Sequence, residues 1–236
     1  MQDFTSTFGN SAANALPEQR AQFIRRTYML LAATIAAFIA VEGFLFTSGI
    51  AYTITNAIFG KGGVGWLPVL LVFIGVSWLS DKWAVSESST AVQYLGLGVY
   101  VIAEAVIFAP LITLSMAYTH DPSVLLKAGV VSIGLFLGIT AVVFLTKTDF
   151  SFLRTILVIG AFAALGLIVA SIIFGFTLGN VFSFLMVAFA GTAILYNTSG
   201  VLHRFNTSQH VAAALTLFAS IALLFWYILR IFTSRR

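Results

Sequence analysis

Long unbroken apolar runs, separated by short polar breaks, dominate the pattern along this chain. They predict helices over residues 24–47, 66–83, 91–117, 124–146, 152–175, 180–201 and 210–233. Each run is near or above the roughly 20 apolar residues that a helix needs to cross a bilayer. None alternates with the period of two that marks a strand, and all are far too long for barrel strands. The pattern therefore predicts an all-α, polytopic transmembrane bundle of about seven helices.

The breaks have physical causes. Gly60-Lys61-Gly62-Gly63 reads as a flexible loop after the first helix. Ser80-Asp81-Lys82 and Ser86-Glu87-Ser88-Ser89 read as a polar second loop. His120-Asp121-Pro122-Ser123 is a turn, with Asp121 or Ser123 placed to cap the next helix. Lys147-Thr148-Asp149, Gly175 to Asn180 and His203 to His210 complete the set. Residues 1–23 read as a flexible or interfacial lead, in which Pro17-Glu18 opens a short helix carrying Arg20, Arg25 and Arg26 toward headgroups. Residues 24–236 read as a single transmembrane domain. The first apolar run, from Tyr28 to Phe46, exceeds the ~7–15 residues of a cleaved signal's core and reads as a signal anchor.

Basic residues orient the bundle. With the N-terminus in the cytoplasm, Arg20, Arg25, Arg26, Lys82, Lys147, Arg154 and Arg204 fall on the inner side. Lys61 and Lys127 fall outside, joined by Arg230, Arg235 and Arg236 if every segment crosses. That tail conflicts with the bias. Either a late segment is incomplete, or the first helix sets the orientation and the tail is tolerated. Gly134 and Gly138 form a G-x-x-x-G, and Gly160, Ala164, Gly166 and Ala170 give another small surface, so close helix packing is expected at both. A monomer is favoured over a homodimer joined there.

Composition sharpens the picture. Of 236 residues 60% are hydrophobic and only 8% are charged, too few to coat a water-facing globule. The formal charge of +4 comes from scattered residues rather than a basic stripe with aromatics, which argues against nucleic acid as a partner. With no Cys, disulfides, thiol redox chemistry and thiolate metal sites are excluded. The lipid bilayer is the one partner composition demands. An N-terminus that is not of the Arg- and Ser-rich transit type favours a bacterial plasma membrane.

Two acidic residues fall inside the predicted spans, Glu104 and Glu42. A carboxyl group within lipid is costly and marks function by default. Glu104 sits near the middle of the third span, six residues before Pro110, whose ring frees the carbonyl of Val106 and predicts a kink. A carboxyl group and a free carbonyl about a turn apart suit a proton-linked gate or relay; the competing role is a hydrogen bond to a neighbouring helix. Glu42 lies toward the end of its helix, where snorkelling to the interface competes with function. His120, His203 and His210 lie in loops and read as bystanders. Zincin, nucleophile-elbow and P-loop patterns are absent, and no nucleophile has a base in reach, so an enzyme is not expected. No cofactor is implied, and a metal site is left open. Asn197, Thr198 and Ser199, with Thr216 and Ser220 one turn apart, form a polar row that lines a wet cavity or joins two helices.

In Ala103 to Pro110, Ile194 to Thr198 and Val211 to Phe218 the chain resembles the Bax inhibitor-1 family. The resemblance runs from about Arg25 to Ile231. It implies a bundle with its seventh span at the centre. It also implies a pH-sensitive calcium leak and a part in stress or cell-death regulation, with calcium as the transported ion. For bacterial relatives it implies modulation of a membrane-bound protease. The chain departs from the family at the sensor. The resemblance implies a pair of aspartates where Asn197 and Ser220 stand here, so a shared proton between carboxylates is not available. It also implies a basic partner at the start of the second span, where Trp66-Leu67-Pro68 carries none. The leading expectation is a cation leak with Glu104, and then Glu42, lining the path. The alternative is a non-conducting regulator of another membrane protein, such as a membrane-bound protease.

Overall fold

The computed structural model describes residues 11–59, 65–85 and 89–234. They form eight helices: α1 (Pro17–Thr47), α2 (Ile50–Phe59), α3 (Trp66–Ala84), α4 (Thr90–Thr119), α5 (Ser123–Thr146), α6 (Leu153–Phe174), α7 (Gly179–His203) and α8 (His210–Ser234). All except α2 are long and apolar enough to cross a membrane, so the seven-span, all-α expectation holds. No strand occurs among the described residues, beyond one isolated bridge between Ser11 and Asn206. The glycine loop at 60–63, Ser86 to Ser88, and Arg235 and Arg236 lie outside the described residues.

Two elements differ from expectation. Pro17 does open a helix, yet α1 runs on without interruption to Thr47, because nothing between them breaks it. The second difference is α2. After α1 the chain turns at Gly49, whose φ of +78° lies in the left-handed region that favours glycine. The ten residues that follow form a helix too short to span. Its buried Ala51 packs in a small cluster with Leu45, Ala105 and Ala109.

α8 is the hub. It packs against α7, α1, α4, α5 and α3, and most of its residues are buried. Side-chain contacts fix which helix ends meet. At one end Arg20 donates to the Leu202 carbonyl at 3.3 Å, the Tyr94 hydroxyl lies 3.3 Å from His210 Nε2, and the Phe150 amide donates to Ser199 Oγ at 2.9 Å. At the other, Thr233 Oγ1 donates to Ser115 Oγ at 2.9 Å and Ser234 Oγ to Asn180 Oδ1 at 2.5 Å. α8 thus runs the full depth of the bundle, and among the described residues the one incomplete apolar helix is α2, early in the chain rather than late. Arg20, Lys82, Lys147, Arg154 and Arg204 belong to the first end; Lys127 and Arg230 belong to the second.

The glycine pattern packs less than its spacing predicts. A Cβ added at Gly134 or Gly138 meets nothing within 4 Å, and the same holds at Gly166. Gly134 and Gly138 face outward, because the buried side of α5 is set by Val124, Ala128, Ser132, Phe136 and Val143. Only Gly160, against the Phe189 ring, and the buried Ala164 bring α6 close to α7.

Asp121 supplies the cap on α5. Its carboxylate accepts from the Ser123 amide at 2.9 Å and the Ser123 hydroxyl at 2.6 Å, and pairs with Lys127 at 3.2 Å. The Ser123 hydroxyl, then the Ser123 amide and Lys127, hold its pKa at about 2, below the ordinary 3.8. A lowered pKa means that the cap is intact above the ordinary value and is lost as pH falls through about 2. A carbon-13 titration of this carboxyl is expected to be flat from neutral pH down to about 4. A midpoint near neutral pH would instead make the turn a pH sensor.

Candidate functional site

The middle of α4 carries the central acid. Tyr100 and Glu104 are four residues apart and share a face, as helix geometry requires. The Tyr100 hydroxyl donates to Glu104 Oε1 at 2.9 Å, and both residues are buried. The α-helix continues through Pro110, which is itself buried, while Val106 loses its backbone donor as expected.

Glu104 lines an open-sided cavity of about 800 Å³ bounded by α3, α4, α6 and α8 and the tip of α2. Its walls are mostly aromatic and aliphatic, with Trp66, Phe73, Phe108 and Trp226 prominent. The Trp66 ring stands 6.0 Å from Phe59 and 6.1 Å from Trp226, so one aromatic row ties α2, α3 and α8 together. Arg230 stands at the second end of this cavity.

A smaller recess of about 240 Å³ lies toward the first end. Asn197 and Ser220 both line it, so the two neutral residues at the expected sensor positions do meet. Asn197 Nδ2 donates to Ser220 Oγ at 2.8 Å and to the Thr216 carbonyl at 3.2 Å. Thr198 and Ser199 turn away from the recess, and Ser199 instead receives the Phe150 amide at the turn before α6. The polar row is therefore both a helix link and part of a cavity wall.

The recess also holds Asp81 and Ser77, which the sequence alone did not bring there. Asp81 reads as a loop residue because Ser80 and Lys82 flank it. In the structure α3 continues to Ala84, and Ser77 and Asp81 share one helical face directed at α7 and α8. Their i, i+4 spacing was the available signal. Tyr100, Ala219 and Leu223 line both the recess and the large cavity, and so form the partition between them.

Glu42 lies elsewhere. It belongs to the buried stripe of α1 with Leu31, Thr34 and Leu45, and does not snorkel. Among the described residues neither of its carboxyl oxygens has a hydrogen-bond partner, and it lines neither cavity. The structure thus separates the two intramembrane acids. Among the described residues no three His, Asp or Glu side chains converge as a metal-holding group.

The family model described as "Inhibitor of apoptosis-promoting Bax1" matches residues 20–236. The chain belongs to the Bax inhibitor-1 family. Its relatives span kingdoms. An uncharacterized protein of Pseudomonas aeruginosa is 28% identical, over 93% of each chain. The protein LIFEGUARD 4 of Arabidopsis thaliana is 29% identical, over 92% of this chain and 87% of the relative. A Golgi anti-apoptotic protein of vaccinia virus is 26% identical, over 95% and 90%. Family membership agrees with the resemblance carried by the Glu104 to Pro110 segment and by the two late segments around Asn197 and Ser220.

Proposed function

We propose that this Bax inhibitor-1 family protein is a cation leak, with calcium as the expected ion, whose path runs along α8 past Glu104. One observation carries the reading. Two cavities, one holding Glu104 and the other Asp81, Asn197 and Ser220, meet at the single layer of Tyr100, Ala219 and Leu223. Acidic residues lining a pore attract cations, and a narrow apolar layer between wet spaces serves as a gate. Asp81 supplies a carboxylate near the place where the paired aspartates are missing. The basic residues gathered at the first end support a reading in which that end, with the N-terminus, faces the cytoplasm and the membrane is a bacterial plasma membrane.

The test is calcium entry into liposomes carrying the purified protein, over a pH series, beside Glu104→Gln. A cation is attracted by the ionised carboxylate and not by the neutral acid. Flux is therefore expected to fall as acid protonates Glu104. Glu104→Gln should hold at the low-pH level throughout, about tenfold or more below the wild type's maximum. If both proteins are silent at every pH in intact vesicles, the leak reading fails. The non-conducting regulator then takes its place. α6 offers such a regulator a surface, since Ala164 is its single buried residue and the face turned away from α7 and the cavity is free to meet another membrane protein.

A further inference from the structure

The large cavity has features that ion passage does not explain. About 800 Å³ lined by Phe59, Trp66, Phe73, Phe108 and Trp226 is larger and more apolar than a path past Glu104 requires, and leaves room beside that path. It lies within the ~300–1,000 Å³ of organic-ligand sites, which are mostly apolar with a few placed polar groups. Its location gives an entrance from the membrane. α3 packs mainly on α4 and α6 packs on α7, with little contact between α3 and α6, yet both line the cavity. The side between them is a lateral opening.

Charge orients whatever enters. Arg230 lines the cavity near the end of α8 and is partly exposed. The one ion pair among the described residues is Lys127 with Asp121, so Arg230 has no carboxylate there. Glu104 lies about two to three helical turns deeper, since Arg230 lines a recess with Leu111 and Leu114 of α4. That places the two charges roughly 10–15 Å apart along the bundle. A phosphate is attracted at the outer position and repelled at the inner one. A guanidinium also offers phosphate a planar pair of donors.

We propose that this cavity binds an anionic phospholipid, its phosphate on Arg230 and one acyl chain inserted between α3 and α6 against Trp66 and Trp226. The site does not depend on ion passage, and its readout is not flux. The protein has four tryptophans, and Trp66 and Trp226 are the two in the cavity. With Trp78→Phe and Trp83→Phe in the full chain, those two alone report. The protein is placed in phosphatidylcholine nanodiscs, and phosphatidylglycerol with brominated acyl chains is titrated in, beside brominated phosphatidylcholine. Bromine quenches tryptophan on contact. Quenching by the anionic lipid is expected to saturate at about tenfold lower mole fraction than by the zwitterionic one. Arg230→Gln should remove that difference, and Arg230→Lys should restore most of it, with helicity unchanged in both. Equal quenching by the two lipids in the parent protein overturns the site. So does a preference that survives in a folded Arg230→Gln protein. If Arg230→Gln does not fold, Ile172→Phe, which narrows the opening from α6, should weaken quenching by both lipids; unchanged quenching overturns insertion.

Discussion

Replacing Tyr100 by alanine is expected to join the two cavities and raise cation flux by about tenfold or more. The ring is 6% exposed and packs against Phe73 at 5.9 Å and Phe218 at 6.1 Å. It is the bulkiest member of the layer shared with Ala219 and Leu223. Removing it opens a void that water fills readily, because Glu104 lies on one side and Asp81 and Asn197 on the other. Tyr100→Phe keeps the ring and removes the donor to Glu104, so it should leave the barrier closed. Ala219→Phe thickens the layer and should suppress flux. Truncating a buried aromatic costs about 3–5 kcal/mol, so each variant is first checked for helicity and a single elution peak. An intact, folded Tyr100→Ala protein with wild-type flux would remove this layer as the gate.

The second large effect is on stability. A Cβ added at Gly96 would stand 2.9 Å from Trp83 Cβ and 3.0 Å from the Ser80 carbonyl oxygen. Neither atom can swing aside, because both are fixed by the α3 backbone. Gly96→Val must push α3 from α4 and is expected to cost about 3 kcal/mol, the upper end for overpacking. The displaced turn includes Asp81, so the recess should change along with stability. Gly98→Ala, two residues on, meets nothing within 4 Å and should cost nothing. Thermal unfolding in detergent separates the two. Equal melting temperatures would show that α3 and α4 do not pack this closely.

Hydropathy made the seven spans legible because each helix must satisfy lipid by itself, whatever its neighbours are. The same independence hid α2. A ten-residue apolar stretch is too short to register as a span, and only the turn at Gly49 separates it from α1. Glu104 was legible as a carboxyl group in an apolar run. Its partner Tyr100 was visible at i−4 but calls for no attention among so many aromatics. Asn197 and Ser220 were placed by family resemblance, and their mutual hydrogen bond follows from the packing of α7 on α8. Asp81 and Arg230 were read from their neighbours in sequence, as a loop residue and as part of a basic tail. Their roles come from helices that lie far away along the chain, and no local pattern encodes that. The outward-facing Gly134 and Gly138 illustrate the converse: a local motif permits a close approach without supplying the neighbour.

The most enclosed helix is made after the seven described helices that precede it. Until His210 and the residues after it leave the ribosome, α1, α4, α5 and α7 have nothing to close around, and their inward faces await a partner that does not yet exist. Nascent chains stopped short of α8 should therefore persist in the bilayer as loosely associated spans, open to proteolysis and to capture by chaperones. Delivery of the 25 residues of α8 then turns a set of inserted segments into one folded object in a single step.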